Sequence, residues 1–182
     1  MRVFFCGEGR YVCSMKTILC IAIFCAVGSL ARAQEVTKAA APLESKSGSQ
    51  VTGMVTFTKV GDEVQVVADI QNLKPGKHGF HIHEKGDCSA ADAASAGGHF
   101  NPTQKHHGGP MTLDHHTGDL GNIEADASGK AHMDWKGKVS LSGKDSIIGR
   151  SIVVHEKEDD LKTDPSGNSG ARIACGTINA AD

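Results

Sequence analysis

The chain counts 182 residues, room for one domain. Its formal charge is −2, and the part beyond residue 33 is more acidic, because four of the 19 Lys+Arg but only one of the 21 Asp+Glu precede that point. This acidic balance argues against nucleic acid and anionic lipid as partners.

Taken in order, the first feature is a leader. Met15-Lys16 precedes the apolar run Thr17 to Leu30, and Ala31-Arg32-Ala33 follows as a small-x-small site. A charged start, an apolar core and a cleavage site predict a signal peptide within residues 1–33, with Met15 as an alternative start. The run is shorter than the ~20 residues that span a bilayer. No stable membrane anchor is therefore expected after processing; a retained anchor is the rival reading. Four of the six cysteines (Cys6, Cys13, Cys20, Cys25) fall in the leader, leaving Cys88 and Cys175. Two cysteines in an exported protein read most simply as one disulfide, with two free thiols as the alternative.

Residues 34–50 are rich in Ala, Ser and Lys without clear periodicity and are expected to form a flexible N-terminal tail. A domain is expected over 51–182. Val51 to Phe57 alternates, and Glu63 to Ile70 follows the turn signal Gly61-Asp62. Gly79 to His83 reads as a third strand. Ile123 to Asp126 and Ala131 to Trp135 flank Ser128-Gly129 as a hairpin. Ile147-Ile148 and Ser151 to His155 flank Gly149-Arg150, and Arg172 to Ile178 closes the series. No segment carries a 3.6-residue amphipathic repeat, so the fold class is all-β, an antiparallel sandwich or barrel. Residues 84–122 and 156–171 are long loops, and loops of that length in a compact domain usually carry function. Trp135, the only tryptophan, fits either an interface anchor or a core position.

All ten histidines follow residue 77. His81 and His83 share one face of a strand, roughly 7 Å apart, within reach of one ion. His99, His107, His116 and His155 lie on or beside the loops, and Asp119 stands three residues after His116. Imidazole suits copper and zinc, and one carboxylate among histidines suits zinc. With Cys88 and Cys175 paired, no thiolate is spare.

Six blocks carry a resemblance: Gly79-Phe-His-Ile-His-Glu84, Ala96-Gly-Gly-His-Phe-Asn-Pro102, His107-Gly-Gly-Pro110, His116-Thr-Gly-Asp-Leu-Gly-Asn122, Gly149-Arg-Ser-Ile-Val-Val-His-Glu156 and Gly167-Asn-Ser-Gly-Ala-Arg-Ile-Ala-Cys-Gly176. In this order they resemble the copper/zinc superoxide dismutases, from about Val51 to Ile178. The resemblance implies a Greek-key antiparallel β-barrel or sandwich of immunoglobulin-like kind with two long functional loops. It implies copper on His81, His83, His99 and His155, and zinc on His99, His107, His116 and Asp119, one of each per subunit. His99 would bridge the two ions and serve as a proton carrier. Asp159 would orient His81 and His107 from behind, Arg172 would stand beside copper and attract superoxide anion, and Cys88–Cys175 would be the disulfide.

The doubled pairs His106-His107 and His115-His116 each offer two candidates; the match to Gly-Gly-Pro and to Asp119 selects the second of each. His78 matches a packed structural histidine, and His132 reads as a strand surface residue. Lys157 and Lys162 could extend a positive funnel, but the loop from His155 to Arg172 is shorter than in eukaryotic members. The long Cys88–His99 spacing and Gly98, with the signal peptide, point by resemblance to a bacterial periplasmic member, exported to the periplasm or the extracellular space. Monomer and homodimer both stay open. The alternative function is a copper/zinc-binding carrier without dismutase activity.

Overall fold

Period-two alternation of apolar residues becomes a set of nine strands. The computed structural model describes residues 35–182; the leader expected over 1–33 lies outside the described residues. The strands are β1 (Lys38–Ser45), β2 (Thr52–Val60), β3 (Glu63–Gln71), β4 (Gly76–His83), β5 (Asp119–Ala125), β6 (Ala131–Gly137), β7 (Ser151–His155), β8 (Arg172–Thr177) and β9 (Asn179–Ala180). Helix among the described residues is limited to one 3₁₀ turn, Ala94–Ala96.

All pairings between these strands are antiparallel, and β1 bonds to both β2 and β8. The circuit β1-β2-β3-β6-β5-β4-β7-β8 therefore closes on itself, with β9 added beside β1. Closure leaves no long unpaired edge in the eight-stranded barrel. The connections after β3 and after β6 both skip over intervening strands, which gives the expected Greek-key order.

β1 corrects the expectation of a flexible tail over 34–50. Ala39, Ala41 and Leu43 point inward and are buried, while Ala40 and Pro42 stand between them. Small residues on both faces remove the contrast on which a period-two reading depends. The strand is ordered because the strands on either side of it, β2 and β8, would otherwise each present an open row of backbone donors and acceptors.

Val55, Phe57, Val66, Ala68, Phe80, Ile82, Ile152, Val154 and Ala174 fill the barrel interior and are fully buried. Each large one contributes about 1.5–3 kcal/mol through burial. Ile147 joins this core from the β6–β7 connection, outside any strand, so the pair Ile147-Ile148 does not extend the sheet. Trp135 is half-buried on the core-facing side of β6, opposite Val66, where it packs against the core and its benzo ring occupies the space a side chain on Gly137 would need.

The alternation that sends Phe80 and Ile82 inward sends His81 and His83 outward. On the paired strand β7, Val153 and His155 face the same way. This outer surface is still buried, because the β4–β5 connection (84–118) and the β7–β8 connection (156–171) cover it. Val153 and Cys175 pack there with Ala93, Ala96 and Cys88 as a small second core. Cys88 and Cys175 form the expected disulfide, which ties the first loop to β8.

Candidate metal centre

The site is built on the outer faces of β4 and β7. Bulges interrupt the ladders between Gly79 and His81 and between Val154 and His155; an extra residue at such points re-aims the next side chain. His81 and His83 come from β4, and His155 ends β7. The first loop adds His99, His107 and His116, and Asp119 opens β5. All seven are buried.

Their donor atoms form two groups. One donor each from His81, His83, His99 and His155 lie within 4.8 Å of one another, and so do donors from His99, His107, His116 and Asp119. His99 belongs to both. Asp119 Oδ1 has three imidazole nitrogens around it: Nδ1 of His99 at 2.8 Å, of His107 at 3.1 Å and of His116 at 3.2 Å. Asp119 Oδ2 meanwhile accepts the backbone N–H groups of His116 (2.9 Å) and Gly108 (3.1 Å).

Whether these residues fit cations is decided by which nitrogen faces which way. The outer nitrogens are satisfied by protein. His81 Nε2–H donates to Asp159 Oδ2 (2.7 Å) and His107 Nε2–H to Asp159 Oδ1 (2.9 Å). His83 Nδ1–H donates to Gly97 O (2.9 Å), and His155 Nδ1–H to Gly170 O (3.3 Å). The inner nitrogens are not satisfied: His81 Nδ1, His99 Nε2, His107 Nδ1 and His116 Nδ1 are buried without a hydrogen-bond partner. His83 Nε2 and His155 Nε2 face each other at 3.4 Å. A buried polar atom without a partner costs roughly 1–3 kcal/mol. Four such atoms converging on two points fit bound cations, with the donor chemistry of copper or zinc on one side and of zinc on the other.

Around the four-histidine set the electrostatics agree with that fit. Burial pushes the pKa of His83 and His155 well below the usual imidazole value and lowers that of His81. Burial also brings His99 to about 4, although Asp119 opposes the shift. Neutral imidazole is the form that ligates a metal. Burial works against His107 too, but Asp119 and Asp159 outweigh it and raise that group to about 10. Burial would raise both carboxyls, yet their histidine partners hold Asp119 and Asp159 well below the usual carboxylate range.

The doubled histidines separate cleanly. His107 and His116 turn inward, while His106 is 81 % exposed and His115 donates to the carbonyl of His116. His78 bridges the carbonyls of His155 and Lys74, both at 2.8 Å, as a packed structural residue. His132 pairs with Asp69 on the surface.

An opening of about 190 Å³ reaches His83, His99 and His155, and Gly98, Pro165, Ser166, Gly170 and Arg172 complete its wall. Arg172 is the one permanently charged side chain among these lining residues. Its guanidinium donates to Ala93 O (2.7 Å) and Gly97 O (2.6 Å). Neither Lys157 nor Lys162 lines the opening; the stem of Lys157 packs beside Gly170.

Several supporting groups carried no sequence signal of their own role. The carbonyls of Gly97 and Gly170 are backbone atoms, invisible to residue type. Asn122 clamps Asp159 reciprocally, its Oδ1 accepting Asp159 N–H (2.7 Å) and its Nδ2–H donating to Asp159 O (2.9 Å). Asn122 ends the block His116-Thr-Gly-Asp-Leu-Gly-Asn122, which was the available clue.

Fold and site together define a closed Greek-key β-barrel protein with two adjoining histidine-rich cation sets that share one imidazole. The sequence model described as copper/zinc superoxide dismutase matches residues 51–178. The chain belongs to the copper/zinc superoxide dismutase family. It is 49 % identical over 146 residues to the extracellular superoxide dismutase [Cu-Zn] of Drosophila melanogaster, covering 75 % of this chain and 80 % of that one. The extracellular superoxide dismutase [Cu-Zn] of Caenorhabditis elegans is 44 % identical over 144 residues, covering 75 % of this chain and 65 % of that one. The crystal structure of the clock protein EA4 superposes with a TM-score of 0.76 at 41 % identity, covering 82 % of this chain and 98 % of that one.

Proposed function

We propose that the chain is an exported superoxide dismutase, with copper held by His81, His83, His99 and His155 and zinc by His99, His107, His116 and Asp119. The observation that carries this reading is the sharing of His99: its Nδ1 belongs to one donor set and its unpartnered Nε2 to the other. Copper, when bound, supplies one-electron chemistry that oxidises one superoxide to oxygen and reduces a second to peroxide with uptake of two protons.

The chain's own residues supply access, orientation and protons. Arg172, fixed on two carbonyls, attracts a small anion into the opening, and a cleft focuses that field despite the acidic surface. His99 Nε2 is the atom at which the protein takes up and returns a proton. Asp159 keeps the outer nitrogens of His81 and His107 protonated, so their inner nitrogens stay available as donors.

Export is supported by the leader-like segment before Ala33, by the Cys88–Cys175 disulfide, and by relatives named as extracellular. The finer expectation of a bacterial periplasmic member rests on the Cys88–His99 spacing, Gly98 and the leader; the relatives' names favour the extracellular space.

The deciding experiment is superoxide decay after pulse radiolysis, on protein carrying one copper and one zinc per chain. Fast second-order decay at catalytic protein concentration is expected. Full metal content without dismutation would replace the enzyme by the carrier reading.

A further inference from the structure

Three side chains of the β7–β8 connection reach across to the first loop and its flanks at successive points. Asp159 lies behind His81 and His107. Leu161 packs over Gly109 and beside Gly121, with its Cδ1 3.5 Å from where a Cβ on Gly109 would stand. Asp164 meets the doubled histidines: its Oδ1 accepts the backbone N–H of His107 (2.7 Å), and its Oδ2 accepts the ring Nδ1–H of His106 (2.7 Å). The turn that presents Asp164 is itself fixed. Asp160 accepts from the N–H groups of Lys162 and Thr163, from the Thr163 hydroxyl and from the Asn168 amide, and Gly167 N–H donates to Thr163 O.

We propose that Asp164 and His106 form a latch between the two loops that positions the donor nitrogen of His107. The His107 ring has two anchors: Asp159 holds its outer nitrogen and Asp164 holds its main chain. With both in place, the direction of Nδ1 is set. With the second gone, the ring pivots about Asp159 and the donor leaves the point on which His99, His116 and Asp119 converge. Asp164 is thus a positioning residue, and His106 orients its carboxylate by occupying the second oxygen. This gives the exposed member of the doubled pair a task. The latch rests on the reading of His107 as a zinc-side ligand.

The test is a titration of copper-loaded protein with Co²⁺, whose visible absorption reports coordination geometry and whose affinity follows from competition with a chelator. Asp164→Ala is expected to weaken Co²⁺ about ten-fold, within the usual range for outer partners of metal ligands, and to change the cobalt band. Asp164→Asn keeps an oxygen for the His107 N–H and is expected to restore the band and most of the affinity. His106→Ala, at an exposed position where substitution leaves the fold intact, is expected to give a smaller loss in the same direction; its result stands if the Asp164→Ala protein does not fold. Wild-type affinity and band in Asp164→Ala and in His106→Ala would overturn the latch. An Asn variant as weak as the Ala variant would overturn it too, since charge and not the hydrogen bond would then be at work. His107→Ala separates the two claims: unchanged Co²⁺ binding there would refute the ligand reading itself.

Discussion

Asp159 holds two imidazoles on one carboxylate and has a third bond, from Leu161 N–H to Oδ1 (2.7 Å). An amide in its place offers one acceptor oxygen, and its NH₂ faces an imidazole N–H that also needs an acceptor. Asp159→Asn is therefore expected to weaken metal binding about ten- to hundred-fold, checked by metal content after dialysis against a graded chelator series. Arg172 acts differently. It touches no donor atom, so Arg172→Ala should keep full metal content while the second-order rate with superoxide falls roughly ten-fold or more. The rate should also become less sensitive to ionic strength, because a screened long-range attraction has been removed. Stopped-flow or pulse-radiolysis rates across a salt series measure both. At this scale the residue types were legible: His81, His83, His99, His107, His116, His155 and Asp119 stand in short blocks whose spacing is local. The inward or outward turn of each ring was not, because it depends on acceptors such as Gly97 O and Gly170 O that any residue could supply.

Among the elements, the β7–β8 connection covers the site and supports its donors from behind. Gly167 lies there with φ +62°, and a Cβ would stand 1.7 Å from Asp159 Oδ1 and 2.7 Å from His107 Nε2. Gly167→Ala must push Asp159 off both imidazoles, so loss of metal from both sets is expected. Gly61→Ala is the control: its φ is +64° but a Cβ there meets nothing within 4 Å. It carries the same left-handed strain, about 1–2 kcal/mol, and should keep its metals. Metal analysis and thermal melting of the two variants separate collision from strain. The long loops themselves were visible in the sequence as stretches without alternation. Strand β1 was not, because Ala39, Ala40, Ala41 and Pro42 offer no apolar-polar contrast, and its order comes from partners on β2 and β8.

At the scale of the whole described domain, residues 35–182 form a closed barrel whose outer wall carries charge-seeking groups in place of a solvated face. Burying unpartnered nitrogens opposes folding, and cations that bind only the folded chain offset that cost. At 1,000-fold excess over its Kd, one ion stabilises by about 4 kcal/mol. In a domain of this size that corresponds to a Tm shift of roughly 10 °C. Removing the metals should lower Tm by at least that amount, and zinc added back alone should restore part of it, as calorimetry would show. An unchanged Tm would mean that the two donor sets do not bind tightly. What the sequence by itself determined is the chemistry: the donor residues, their grouping along the chain, the cysteine pair and the β character, all carried by patterns a few residues long. What only the tertiary structure decided is the pairing of distant parts. Asp159 meets His81 across 78 residues and Asp164 meets His106 across 58, and β1 closes the barrel. These contacts follow from the joint packing of strands and loops, and no local spacing encodes them.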